Sequence, residues 1–91
     1  MEKHVIWKYE IEVSDEYILN IPAHSEILHL GVQNDRAYIW VKVNPFNKGA
    51  KRVFKVVGTG HPIEDDPDTT LIYIGSFQFT FGFVGHVFEI I

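Results

Sequence analysis

The sequence predicts an all-β protein, a compact antiparallel sandwich or small barrel of six to eight strands with at most one short helix. Three observations predict it. Apolar and polar residues alternate with period two in segment after segment, clusters of Gly, Pro, Asn and Asp interrupt the alternation at roughly ten-residue intervals, and almost nothing repeats with helical spacing. A single all-β domain is expected over residues 1–91.

From Val5 to Val13, the residues Val5, Trp7, Tyr9, Ile11 and Val13 share one strand face, and His4, Ile6, Lys8, Glu10 and Glu12 the other. Ser14-Asp15-Glu16 reads as a turn or as the cap of a short helix. The β-rich Tyr17 to Ile21 before Pro22 favours a second strand. Glu26 to Gln33 is a third, and Asn34-Asp35-Arg36 is hairpin-turn chemistry leading into Ala37 to Val43. That fourth strand has a purely aliphatic face of Ala37, Ile39, Val41 and Val43. Asn44 to Lys51 is a Pro/Gly/Asn loop, Arg52 to Val57 a fifth strand, and Gly58 to Thr70 a long polar connection. Leu71 to Phe81 resumes the strand pattern, with Phe77, Phe79, Phe81 and Phe83 at every second residue. One long bent strand or a tight hairpin near Thr80-Phe81-Gly82 fits that run. His86 to Ile91 is the last strand.

Composition narrows the function classes. The chain is 46% hydrophobic, with seven Phe, four Tyr and two Trp, too apolar for disorder. Zero cysteines exclude a disulfide framework, a zinc-thiolate site and a Cys nucleophile. A net charge of −4 argues against general nucleic-acid binding. No export signal or bilayer-length apolar run is read at either end. An intracellular protein without membrane association is therefore expected.

The segments Ile6-Trp7-Lys8-Tyr9, Ile21-Pro22, Glu26-Ile27-Leu28, Trp40, Gly58-Thr59-Gly60-His61-Pro62-Ile63 and His86-Val87-Phe88-Glu89, in this order, resemble a family of small, uncharacterised proteins of tailed bacteriophages and prophages. Gly58 to Ile63 is the distinctive motif, and Gly85 stands where that family commonly has an aromatic. The resemblance implies a setting, a phage accessory protein in the cytoplasm of a bacterial host, and brings no catalytic residues.

Candidate chemistry concentrates in two places. Gly58-Thr59-Gly60-His61-Pro62 suits an anion-cradling loop, because glycines admit close backbone approach and successive N–H groups can face an anion. Against that, the third glycine of a dinucleotide fingerprint is missing, Pro62 removes a donor, and Glu64-Asp65-Asp66 repels phosphate. A positive-φ turn or bulge explains the glycines equally well. Glu64 to Asp68 supplies four carboxylates in five residues beside His61, but their spacing misses the calcium-loop pattern. A solvated acidic loop is the simpler reading, and no metal or cofactor is expected. Among five histidines, His4, His24 and His29 read as surface residues, while His61 and His86 adjoin glycines in the distinctive segments. No catalytic triad or paired carboxylates accompany them, so no catalytic residue is assigned.

The aromatics Trp7, Tyr9, Trp40 and most of the Phe stripe are expected in the core. Four phenylalanines on one face could overfill a small core, which marks Phe77 and Phe79 as candidates for an interface. Lys48, Lys51, Arg52 and Lys55 are too few for a nucleic-acid footprint and read as a solvated hairpin end. Together these features favour a non-enzymatic binding module that engages a host protein or associates with itself as a homo-oligomer, with counter-defence as its setting. The alternative is a small-ligand protein that holds a nucleotide-like molecule under the Gly58–Thr70 loop. The candidate binding residues are Gly58, Thr59, Gly60, His61, Pro62, His86, Phe77 and Phe79.

Overall fold

The aliphatic face around Ile39 decides how the chain closes. The computed structural model describes residues 3–64 and 66–91. Seven strands are present: β1 (Val5–Ile11), β2 (Tyr17–Pro22), β3 (Glu26–Gln33), β4 (Arg36–Val43), β5 (Gly49–Gly58), β6 (Leu71–Gln78) and β7 (Val84–Ile90). They form two antiparallel sheets, one of three strands ordered β1-β4-β3 and one of four ordered β2-β5-β7-β6. Among the described residues no helix forms, so none is long and apolar enough to cross a membrane.

The two sheets pack face to face as a sandwich. Ala37, Ile39, Val41 and Val43 of β4 are almost wholly buried against Ile21, Phe54, Val56, Phe77 and Val87 of the other sheet. Apart from the Ala37 methyl, each such side chain contributes about 1.5–3 kcal/mol by leaving water. Phe77 needs a glycine beneath it: it lies opposite Gly85 in the β6–β7 register, and a methyl group on Gly85 would overlap the Phe77 ring.

Both hairpin tips follow from their turn residues. Gln33 pairs with Arg36, which leaves Asn34 and Asp35 as a two-residue turn with φ of 52° and 56°. This is the type I′ geometry that continues the strand twist. Between β6 and β7, Gly82 N–H donates to Phe79 O and Phe79 N–H to Phe83 O, both at 2.9 Å, with Gly82 at φ 99°. The Phe run is therefore split by a hairpin, and the strand ends at Gln78 rather than Phe81. Phe77 is core, Phe79 and Phe83 pack against the core, and Phe81 stands 75% exposed at the tip.

Other boundaries shift for local reasons. The first strand ends at Ile11 instead of Val13, because the Ser14 hydroxyl closes a turn onto the Glu16 backbone. A strand, not a helix, follows at Tyr17. β5 begins at Gly49, since Gly49 and Ala50 pair with Pro22 and Ile21, and this shortens the expected 44–51 loop. β7 begins at Val84, which pairs with Gln78.

Two aromatic placements correct the expectation of a core position. Trp40 lies on the outer face of its sheet, because the aliphatic residues on the other side of β4 face inward. Its ring rests 5.5 Å from His29 and 6.2 Å from Tyr38. Trp7 does share the inner face, opposite Val41, yet stays 42% exposed on edge strand β1.

Polar ties join the sheets at both ends of β3. Arg52 and Glu89 point inward from neighbouring strands, and Arg52 Nε and Nη2 donate to the two Glu89 oxygens at 2.6 and 2.8 Å. Arg52 Nη1 donates to Ser25 O at 2.7 Å, just before β3. At the far end, Thr80 donates its N–H (2.8 Å) and hydroxyl (2.5 Å) to the Asp35 carboxylate. The molecule is flat, 46 × 35 × 15 Å, and exposes 6062 Å². A typical monomer of this mass exposes about 5,400 Å².

Candidate functional site

The outer face of the four-stranded sheet carries cross-strand rows of apolar residues. Ile18, Val53, Ile90 and Leu71 are successive register partners across all four strands. The next row runs Lys55, Phe88, Tyr73, and the one after it Val57, His86, Ser76. Residues that would ordinarily be polar on a solvent face are here largely apolar.

The chain after β5 folds back over this face. His61 N–H donates to Gly58 O at 3.0 Å, and Gly60 sits at φ 86°, closing a four-residue turn. With φ positive only at the third residue, this is type II geometry. A methyl on Gly58 would lie 2.9 Å from His61 Nδ1, so a side chain there would have to displace the His61 ring. The turn sets Ile63 and His61 in the wall of a cleft of about 260 Å³ with Tyr73, His86 and Phe88, while the His61 ring lies against the inward side of Gly58, next to Phe83.

His86 is held on both ring nitrogens. Nε2 lies 2.6 Å from the Thr59 hydroxyl and Nδ1 2.9 Å from the Tyr73 hydroxyl. A neutral imidazole donates through one nitrogen and accepts through the other, and a hydroxyl serves either role. The clamp fastens the loop to β6 and β7. Tyr73 in turn meets Phe88 edge-on at 5.2 Å.

Of the candidate residues, the structure gathers Gly58, Thr59, Gly60, His61 and His86 around this one cleft. Pro62 is exposed and outside its lining. Phe77 and Phe79 lie on the opposite, core side of the sheet, in contact with each other at 4.9 Å. Sequence reading missed Val57, Ile63, Tyr73 and Phe88. Strand phase could have supplied Phe88, which alternates with His86. Tyr73 depends on the β6 bulge between Tyr73 and Gly75.

Among the described residues the cleft lining contains no Lys, Arg, Asp or Glu. Lys51, Arg52 and Lys55 do not converge on it: Arg52 points into the sandwich, and Lys55 lies in a neighbouring groove with Asp15, Glu16, Glu64 and Asp66. Within the acidic segment, Asp66 forms an Asx turn, accepting from Asp68 N–H at 2.8 Å. Asp65 lies outside the described residues. Among the described residues no three His, Asp or Glu side chains stand together as a metal site. The arrangement offers apolar and aromatic walls with hydroxyl and imidazole hydrogen-bonding groups. The third member of the Thr59–His86–Tyr73 chain is a phenol, not the carboxylate that stabilises an imidazolium in hydrolytic triads.

Fold and site together define a small two-sheet β-sandwich with a cleft on one outer face. A family model, Domain of unknown function (DUF7352), matches residues 2–91, and the chain belongs to that family. Comparison with curated proteins and with solved structures gives no match.

Proposed function

We propose that the protein is a non-enzymatic binding module, a phage accessory protein that works in the bacterial cytoplasm by engaging a host protein or a second copy of itself. The observation that supports this reading is the outer face of the four-stranded sheet, where the apolar row of Ile18, Val53, Ile90 and Leu71 and the rings of Phe88 and Tyr73 lead to a cleft bordered by Gly58–Ile63, with no Lys, Arg, Asp or Glu among its described lining residues. Such a cleft suits an apolar side chain presented by a partner. His86, with both nitrogens engaged by hydroxyls, serves to hold that border in place.

Immobilised wild-type protein should enrich a specific bacterial protein from lysate, and Ile63→Asp, which puts a charge into the cleft wall, should abolish the enrichment. Equal capture by both proteins, or none by either, would overturn the reading of the cleft.

A second reading has its own support. The cleft volume and its Tyr73 and Phe88 walls suit a planar ring, so a nucleotide-like ligand would enter by its base. Among the described residues the lining offers a phosphate no Lys or Arg side chain. Stabilisation by nucleosides equal to or greater than that by nucleotides in a thermal-shift series would support this reading, and no shift with either would remove it.

A further inference from the structure

The four edge strands differ in how they guard their open sides. Natural sheets blunt exposed edges with bulges, prolines or outward charges, because an unguarded edge templates another strand. β3 has a bulge between Ile27 and His29, β6 has one between Tyr73 and Gly75, and β2 ends in Pro22. β1 has none of these. Its seven residues pair with β4 without a register break, from Val5↔Val43 to Ile11↔Ala37.

The charges of β1 do not guard it either. Lys8 reaches back across the sheet, with Nζ 4.5 Å from the Tyr38 ring centre and donating to Gln33 Oε1 at 2.8 Å. Glu10 accepts from Arg36 of β4 at 3.4 Å. Both charges are drawn inward over their own sheet. What β1 presents at its open end is apolar on both faces: Val5 and Trp7 are 41% and 42% exposed inside, and Ile6 is 60% exposed outside. The sheet is also one strand narrower than the sheet it covers.

We propose that β1 pairs antiparallel with β1 of a second copy, joining two three-stranded sheets into one of six strands about a two-fold axis. A second copy fits because it brings the same phase. Val5, Trp7, Tyr9 and Ile11 all face inward, so any in-phase antiparallel register sets apolar residues against apolar residues inside and leaves Ile6 with the home-paired Lys8 and Glu10 outside. Each copy supplies the strand that covers the other's Val5 and Trp7. This deepens the self-association part of the proposed function and rests on it, but it uses a surface separate from the cleft.

Light scattering over a concentration series should show the mass rising from 10.5 kDa to twice that value. Val5→Lys and Ile6→Lys should each weaken dimerisation roughly tenfold or more, with unchanged circular dichroism. Ile6 lies on the outer face, so its variant keeps the core intact. Because the chain has no cysteine, single cysteines scanned through β1 should give disulfide-linked dimers at the residue on the two-fold axis, and Ile18→Cys on β2 should give none. A wild-type monomer at every concentration overturns the proposal. So does a dimer that Ile63→Asp breaks and the β1 variants leave intact, since that moves the interface to the cleft. Capture of a host protein is unaffected by either result.

Discussion

Arg52 and Glu89 form a two-pronged ion pair on the inner face of the four-stranded sheet, with side chains only 23% and 11% exposed. The third Arg52 nitrogen reaches Ser25 O in the approach to β3, so a single guanidinium joins β5, β7 and the opposite sheet. The hydrogen bonds to Glu89 hold the Arg52 pKa above its usual value. Removing one partner leaves the other charge half-buried and unmatched.

Arg52→Ala and Glu89→Ala are each expected to destabilise by roughly 2–3 kcal/mol, below the full cost of breaking a wholly buried pair because water reaches one side. The double replacement Arg52→Met/Glu89→Leu should recover much of the loss. Urea denaturation of the four proteins checks the coupling.

Asp35 gives the acid dependence. Hydrogen bonds from the Thr80 hydroxyl and backbone N–H hold its carboxyl below the ordinary aspartate value. The unfolded chain therefore takes up the Asp35 proton first as pH falls. Its contribution is complete above the unfolded value of about 4, and is lost as pH drops through the lower folded value. Melting temperatures of wild type and Asp35→Asn should differ at neutral pH and converge in strong acid. Asn tolerates the positive φ at this position, so the comparison isolates the charge.

Phe77→Ala is expected to cost about 3–5 kcal/mol by opening the core, and Gly85→Ala about 1–3 kcal/mol by overpacking. The pair Gly85→Ala/Phe77→Leu should cost less than the sum of its single changes, since the shorter side chain vacates the overlap. Thermal denaturation of the set tests this.

Loss of the His86 clamp should loosen the cleft border without unfolding the sandwich. His86→Ala is expected to raise amide hydrogen exchange over Thr59 to Ile63 while leaving the β4 and β5 amides protected. Tyr73→Phe, which removes one hydroxyl partner, should give a smaller effect of about 1 kcal/mol or less. Unchanged exchange in the loop would show that the turn holds itself.

The fold was legible where strand phase alone decided it. The aliphatic side of β4 had to be the core, and the Asn34-Asp35 pair had to be a tight turn. The same phase placed Trp40 on the other side of β4, and the error of assigning it to the core came from weighing residue type above phase. The Phe run was ambiguous because alternation continues through a three-residue hairpin as smoothly as through a strand. At the site, the glycine turn at Gly58 and Gly60 was readable and His86 stood out beside Gly85, but the contact between His86 and Thr59 was not. Tyr73 and the Asp35–Thr80 tie were not, because they depend on register between segments far apart in the chain.

The polar ties at the two ends of β3 have a mechanical consequence. Ser25 and Asp35 flank that strand and each is fastened to the opposite sheet, while β3 and β6 also come together across the sandwich. Sliding of one sheet along the other would have to break both fastenings together, so shear is the stiff direction. Among the described residues no side chain of β1 makes such a tie to the other sheet, and Trp7 remains open to solvent. The sandwich is built like a book bound along β3, and its soft motion is the opening of its free margin.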